Sequence, residues 1–522
     1  MQLPSLFGDH MVLQRKRPVP VWGWSEPGVE VRVVCAGHSA SAVCGDDGFW
    51  QACLPPMDPG GPHKLEVTAA CGSATFEDVR IGDVWLCSGQ SNMQWPLIQT
   101  HDAAQAVPAA RHEEVRLFTV ERPRTVRPAR DVRGRWARCT PKTVREFSAV
   151  AYHFGRELHG RCRVPVGLIH SSWGGTPVES WMSSQALAND PANRELLAYW
   201  RGVYHKHSGI AEGAVSEYPS WLLRFNEFRR HMDAWRVQME LASRRNEPAP
   251  PQPELNRPKG PGDNHTPSIL YDTMIAPLMP FALAGVIWYQ GESNSTRACQ
   301  YRRLFRELIC SWRREWRAAG PAESLAADHP DPAFLFVQLA NYRQRAEQPG
   351  ESDWAELREA QASVLDLPAT GMAVTIDVGE ADDIHPRNKR DVGIRLARLA
   401  EAYLNGAPRA SCGPLFAEAA VQGRAVRLRF KHAVGGLRSA DGKPLRGFAI
   451  AGQDGRYTWA DADIEGGEVM VKSPDVRAPV AVRYGWADNP DANLTDGAGF
   501  PAAPFRTDDW SELTRGAECP GA

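Results

Sequence analysis

Between residue 82 and about residue 405, short apolar runs alternate with helical stretches, and this alternation narrows the choice of fold more than any other feature of the chain. The runs are "VWLCSG", "EVRLFTV", "VPVGLIHSS", "AGVIWYQG", "AFLFVQLA" and "MAVTIDVG". Strands and helices in this order build βαβ units, so the segment predicts a parallel sheet with helices on both faces. The flanks read differently. Residues 18–81 hold "PVPVWGW", "VEVRVVCAG", "SASAVCG" and "HKLEVTAA", separated by Gly, Pro and Asp, which predicts a small β-sandwich. After "LARLAEAYL" strand patterning returns in "GRAVRLRF", "GEVMVKS" and "APVAVRYGW". The reading is an α/β protein in three parts: an N-terminal β-domain (1–81), an α/β domain (82–405) and a C-terminal β-domain (406–522).

The middle part is interrupted at about 184–266. There Trp221, Phe225, Phe228, Met232, Trp235 and Met239 recur at steps of four and three, one face of a helix. Such a stripe can be an aromatic platform for sugars, but its regularity favours a helix packing on its neighbours. The following "NEPAPPQPELNRPKGPGDN" is too rich in proline for a helix or a central strand and predicts an extended surface connection. His205 and His207 have no third ligand near them in sequence, which argues against a metal site.

A net charge of −2 gives no electrostatic case for nucleic acid or an anionic membrane surface. No apolar run reaches the roughly 18 residues that span a bilayer. The opening "MQLPSLFGDHMVLQ" lacks the basic head and apolar core of a secretory leader. The expectation is a cytoplasmic protein, or a periplasmic or secreted one if a leader was removed. The 11 cysteines are odd in number and form no C-x-x-C pair, so they read as buried free thiols.

Four stretches fall just past strand ends, where an open α/β sheet places its ligands. In "CSGQSNMQW" a buried strand runs into Gly89-Gln90-Ser91-Asn92, either a plain turn or a hydroxyl held on a strand-to-helix turn as a nucleophile. In "SSWGGTPVESW", Gly174 and Gly175 leave backbone N–H groups unshielded for an oxygen that gains charge, or only make a tight turn. In "VIWYQGESNS" the amide of Asn294 can add a further donor, with Gln290 and Glu292 beside it. In "DVGEADDIHPRNKRDVGIRLARLAEAYL", Asp382 and Asp383 precede His385, and Pro386 fits the first turn of a following helix. A serine nucleophile needs a base near neutral pH, and that base needs an orienting carboxylate. Ser91, His385 and Asp382 or Asp383 supply the set.

These blocks carry a family resemblance. "GQSNM" at 89–93, "GGT" at 174–176, "YQGESN" at 289–294 and "DDIHP" at 382–386 resemble the SGNH (GDSL-like) hydrolases and, within them, the sialate O-acetylesterase-like carbohydrate esterases. "LFGDHMVLQR", "VRYGWADNPDANL" and "GFPAAPFRTD" extend the likeness over nearly the whole chain. The resemblance implies a three-layer, flavodoxin-like parallel sheet with β-sandwich-like flanks. It implies Ser91 as nucleophile, His385 as base and acid, and an oxyanion hole of the Ser91 N–H, a Gly174 or Gly175 N–H and the Asn294 side chain. Gln90, Asn92, Gln290 and Glu292 would contact substrate or support the site. The superfamily acid lies three residues before the histidine, at Asp382, whereas close relatives often place it two before, at Asp383. No metal or organic cofactor is required. The expected partner is an acetylated carbohydrate, with a lean to hemicellulose such as xyloglucan or xylan over sialic acid. A sialate carboxylate would want an arginine, and Arg297, Arg358 and Arg387 lie near the motifs. A non-catalytic sugar-binding protein and an esterase for long acyl chains are the competing readings.

Overall fold

The computed structural model describes residues 1–122, 128–208, 218–245, 247, 250–251, 253, 260, 263–320, 331–407 and 412–519. The chain opens with strands β1 (Val12–Gln14), β2 (Val19–Trp24), β3 (Glu30–Cys35), β4 (His38–Val43), β5 (Phe49–Leu54), β6 (Gly60–Ala69) and β7 (Gly72–Gly89). Along β3 the residues Val31, Val33 and Cys35 turn inward while Glu30 and Arg32 stay exposed, the period-two pattern of a half-buried strand. β3 pairs with β4 and β6, and β2 pairs with β5.

Then follow β8 (His112–Thr119), β9 (Trp136–Cys139), β10 (Val166–Ser172), β11 (Gly285–Tyr289), β12 (Ala333–Val337) and β13 (Thr370–Ala373). They join β7 in the order β13-β12-β11-β7-β10-β8-β9. All these neighbours are parallel except the edge pair β8–β9. β7 belongs to both regions. Its first half pairs antiparallel with β6, and its buried second half runs parallel between β10 and β11. Position 81/82 therefore lies inside one continuous strand, with no linker on either side. Arg15 grips the buried Asp83 through two bonds of 2.8 and 2.9 Å, and the Trp136 indole donates to the Leu6 carbonyl at 2.8 Å.

The helices are α1 (Ser91–Gln94), α2 (Ala103–Ala109), α3 (Ala149–Cys162), α4 (Ser184–Asn189), α5 (Arg194–Ser208), α6 (Tyr218–Arg245), α7 (Ala298–Ala319), α8 (Asp353–Ala362) and α9 (Lys389–Leu404). On β7, Trp85 meets Phe154 of α3 edge-on at 5.1 Å, and Gly393 of α9 packs directly on His153 and Phe154. Trp288 of β11 is in register with Ser88, three residues past Trp85, and so points to the opposite face. There Trp288 and Phe334 pack on Phe305 and Trp312 of α7. Helices thus cover both faces of a mixed sheet. Val392, Leu396 and Leu399 of α9 are buried, as their spacing requires, but Pro386 lies outside this helix, which Asn388 caps by accepting from the Asp391 N–H.

Toward the C-terminus, Leu415–Gln422, Ala425–Lys431, Asp461–Glu465 and Glu468–Lys472 make one antiparallel sheet. Phe448–Ala451, Tyr457–Trp459, Ala481–Tyr484 and Phe505–Arg506 make another. Val426, Leu428, Val469 and Val471 share a core with Phe448, Ile450, Val482 and Tyr484. This region is tied to α8. Arg506 holds Glu359 at 2.8 and 3.0 Å, and the fully buried Arg358 donates to the Ala487 and Asp488 carbonyls at 2.6 and 2.9 Å.

The chain divides into two compact units. One holds the sheets above, and the other comprises Arg122–Arg130, Glu179–Pro277 and Glu518–Ala522. In the second unit α6 is a single 28-residue helix. Phe228, Met232, Trp235 and Met239 form a half-buried face on it, and the Trp235 indole donates to the Pro250 carbonyl at 3.0 Å. The side chains of Trp221, Phe225 and His207, and most of the proline-rich stretch, lie outside the described residues; His205 is exposed on α5. Of the eleven cysteines only five are buried, and Cys71 is exposed.

Candidate active site

β7 ends at Gly89 between β10 and β11, where the sheet's connections leave in opposite directions and open a crevice at the strand ends. Gly89 has φ +129, and a Cβ there would overlap the Tyr289 carbonyl, which accepts from the Gln90 N–H at 2.9 Å. Only glycine lets the two strand ends approach so closely. α1 starts at once, with Ser91 half-buried as its first residue. The Ser91 Oγ lies 2.8 Å from Nε2 of His385, which the loop before α9 carries. The Trp95 indole stacks on the imidazole, ring centres 5.0 Å apart and planes 16° from parallel, restraining its swing.

The two neighbouring aspartates part company. Asp383 places Oδ1 3.5 Å from His385 Nδ1, and the same oxygen accepts from the His385 backbone N–H at 2.8 Å. Burial raises this carboxyl, and the His385 imidazole and N–H, with the Lys389 charge, outweigh that effect and leave it below its ordinary value. Asp382 is exposed and accepts from Gln344 Nε2 at 2.8 Å. The structure does not bring Asp382 to the imidazole. Of the two acids three and two residues before His385, it is Asp383 whose carboxylate lies near Nδ1.

The donor groups converge on the same strand ends. A Cβ on Gly174 would stand 3.2 Å from the Ser91 Cβ, so the glycine backbone passes close beside the hydroxyl. The Gly174 N–H is engaged by Gln94 Oε1 at 2.8 Å, and Gly175 has the left-handed φ +72. Asn294 is fully buried, and its Oδ1 accepts from the Val178 N–H at 2.9 Å and Gln290 Nε2 at 2.7 Å, which fixes the orientation of the amide. Gln90 is buried too, accepting from the Gly291 and Ser293 N–H groups at 3.3 and 3.4 Å. Gln90 and Gln290 thus brace the site from behind.

Asn92 links three parts of the site. Its Nδ2 donates to Glu292 Oε1 and, at 3.1 Å, to the Ile384 carbonyl next to His385, while its Oδ1 accepts from Lys389. The Lys389 ammonium is fully buried between the rings of Trp95 and Tyr289, 5.8 and 5.7 Å from their centres. Burial pushes Lys389 down to about 7 and Glu292 above its ordinary value, toward neutrality in each case. Glu292, Asp383 and Glu380 favour the lysine's charge without restoring its usual range. Lys389, Trp95 and Gln94 escaped the sequence reading. One signal was present: a lysine in the first turn of a helix opposes the macrodipole and needs a local reason.

Lys389 makes the stability of the fold depend on pH. In the folded protein it releases its proton near pH 7, and in the unfolded chain only near pH 10.4. The unfolded state therefore binds more protons between these values. This group makes stability rise with pH by about 1.4 kcal/mol per unit across that window, and the contribution is lost as pH falls toward 7. Lys389→Met is expected to remove that slope. Urea midpoints at pH 7 and pH 9 measure it, the wild type gaining roughly 2–3 kcal/mol more than the variant.

Of the arginines near the motifs, Arg297 is buried and donates to Gln300, Arg358 is spent on backbone carbonyls, and Arg387 stands half-buried two residues past His385. Among the described residues no helix is long and apolar enough to cross a membrane.

A hydroxyl bonded to an imidazole at a switch point, with the Gly174 backbone passing beside it, defines the class of protein that can open an ester by nucleophilic attack. Known proteins agree. Residues 81–200 match the model of the carbohydrate esterase family described as sialic acid-specific acetylesterase. A sialate O-acetylesterase from Rattus norvegicus is 31% identical over 439 residues, covering 77% of this chain and 73% of its own length. The one from Homo sapiens is 28% identical, covering 77% and 71%. The crystal structure of a carbohydrate acetylesterase from Xanthomonas citri superposes with a TM-score of 0.78 at 37% identity, over 98% of this chain and 100% of that one. The chain belongs to the sialate O-acetylesterase family of carbohydrate esterases. It is an esterase.

Proposed function

We propose that the chain removes O-acetyl groups from carbohydrate through a Ser91 acyl-enzyme. The observation that carries this reading is the 2.8 Å contact between Ser91 Oγ and His385 Nε2 at the switch point. His385 takes the Ser91 proton as Oγ attacks the acetyl carbonyl, and Asp383 faces the imidazolium that forms. The oxyanion meets the Ser91 N–H, the Gly174–Gly175 backbone and the Asn294 amide. Each such donor contributes on the order of 3 kcal/mol in comparable sites. Gln94 must yield the Gly174 N–H if that group is to serve. His385 then protonates the departing sugar oxygen, and water activated by His385 frees acetate and regenerates the hydroxyl.

The order β10-β7-β11-β12-β13 follows the flavodoxin-like pattern 2-1-3-4-5 with β8 and β9 added at one edge, which supports an SGNH-type core. On that reading the three-part division at 81/82 and 405/406 separates functions while β7 runs across its first boundary.

The choice of sugar turns on charge. Arg297 and Arg358 are occupied internally, which supports a neutral, hemicellulose-like substrate, whereas Arg387, half-buried two residues past His385, is the arginine that would serve a carboxylate. The names of the curated relatives favour sialate instead. Hydrolysis of 4-nitrophenyl acetate at a rate at least roughly tenfold above the octanoate ester is the expected result; no hydrolysis would leave a sugar-binding protein. Mass-spectrometric rates on acetylated xylan fragments and O-acetyl sialic acid then separate the sugars. Faster loss from xylan is expected, and faster loss from sialate moves the reading to a sialate O-acetylesterase.

A further inference from the structure

A cavity of about 350 Å³ opens in the C-terminal β-region, away from Ser91 in sequence, with Arg345, Leu445, Arg446, Trp459, Asn489 and Asp491 among its lining. We propose that this cavity is a subsite for a neutral pyranose unit of the glycan chain, distinct from the unit that carries the ester. The proposal rests on the carbohydrate-esterase reading and adds where the rest of the chain is held.

Trp459 supplies the platform. The residue is 43% exposed, unusual for so large an apolar group, and its Nε1 donates to the Glu347 carbonyl at 2.9 Å. One edge of the indole is thus fixed while the remainder is offered to solvent, so little freedom is lost when a flat partner docks. A pyranose has such a partner face, apolar C–H groups on one side with hydroxyls at the rim. The polar rim is matched. Arg446 bonds Asp491 at 3.1 Å and Asp441 at 3.0 Å, and Arg345 lies 3.4 Å from Asp491. Two guanidiniums and the Asp491 carboxylate line the cavity, and Asp441, outside the lining, pairs with Arg446 from behind, so the site offers donors and acceptors for vicinal hydroxyls with its charges already paired. Paired charges of this kind suit a neutral sugar.

The cavity is also coupled to the catalytic loop. Arg345 belongs to the segment 341–347, which is stitched to the residues just before His385. The Asn341 Oδ1 accepts from the Gly379 N–H at 2.6 Å, the Arg343 N–H donates to the Ala381 carbonyl at 3.0 Å, and Gln344 bonds Asp382 at 2.8 Å. Asn489 of the cavity donates to the Arg343 carbonyl at 2.7 Å. Asp382 therefore gains a structural task, tying the subsite segment to the His385 loop.

The test compares chain lengths. For the wild type, kcat/KM on acetylated xylohexaose is expected to exceed that on acetylated xylose at least about tenfold, the scale of one aromatic contact. Trp459→Ala and Arg345→Ala should each erase that preference through KM, with 4-nitrophenyl acetate hydrolysis unchanged. A wild type without the preference, or variants that retain it, would overturn the subsite while sparing the esterase. Calorimetric titration of Ser91→Ala with deacetylated xylohexaose separates binding from chemistry. Binding that disappears when Trp459→Ala is added supports the subsite, and no binding, or binding that survives the second change, overturns it. Failure on 4-nitrophenyl acetate alone, with xylohexaose binding intact, would sink the catalytic reading and leave the subsite standing.

Discussion

Replacing Ser91 by alanine is expected to lower the turnover of an acetyl ester by on the order of 10⁶ and to leave the fold in place. The two halves of this expectation have separate physical origins. The hydroxyl makes its bond to His385 Nε2 at 2.8 Å and is held half-buried on the four-residue helix α1, so removing one oxygen opens no cavity in the core. Its loss should shift stability by no more than about 0.5 kcal/mol, the range of substitutions that touch no packing. The chemistry has no substitute. Without Oγ the imidazole can at best activate a water placed by chance, and the amide donors alone sustain a small residual rate. Hydrolysis of 4-nitrophenyl acetate, beside a thermal melt of both proteins, measures the two effects together. Labelling the wild type with a fluorophosphonate and mapping the adduct adds a direct reading. An adduct on another serine, or more than about one per cent of activity in the variant, would remove Ser91 from its role.

How far the site could be read from sequence follows from the geometry of a parallel sheet. Ser91 lies just beyond β7, and Gly174 and Asn294 lie a few residues beyond β10 and β11, the strands on either side of it; parallel neighbours end on the same edge. Recognising strands β7, β10 and β11 therefore placed these residues at one edge of the sheet, whereas His385, twelve residues past the end of the edge strand β13, is carried to Ser91 by the loop before α9. What a strand end cannot specify is the direction of a side chain one residue further on. Asp382 and Asp383 have the same chemistry and adjacent positions, and only the local backbone decides which faces the imidazole. Nor could periodicity place Gln94 on the Gly174 N–H, or Lys389 between Trp95 and Tyr289, since those contacts join residues far apart in sequence. The division near residue 81 shows a related limit. The change of pattern there is real, but it marks a strand changing partners, because the pairing of β7 passes from β6 to β10 and β11 without a break.

The second large effect is expected at Asp383. Asp383→Asn should reduce turnover by on the order of 10⁴, the loss seen when a buried carboxylate behind a catalytic imidazole becomes an amide. Asparagine is the informative replacement because its carbonyl oxygen can still accept from the His385 N–H, the 2.8 Å bond that shapes the turn, so the loop keeps its form. What disappears is the negative charge facing Nδ1 at 3.5 Å, a separation that a small rotation can close when substrate binds. The imidazolium formed during attack then loses its counter-charge, and the ring is free to adopt the wrong tautomer. Asp382→Asn is expected to change kcat only a few-fold on a small ester, since that exposed carboxylate serves Gln344 at 2.8 Å and leaves the imidazole untouched. Steady-state kinetics of both variants on 4-nitrophenyl acetate, with circular dichroism to show that each is folded, discriminates the roles. A crippled Asp382→Asn beside a healthy Asp383→Asn would return the acid to the three-residue spacing. Mild effects in both would leave Ser91 and His385 working as a pair, with a main-chain carbonyl orienting the ring.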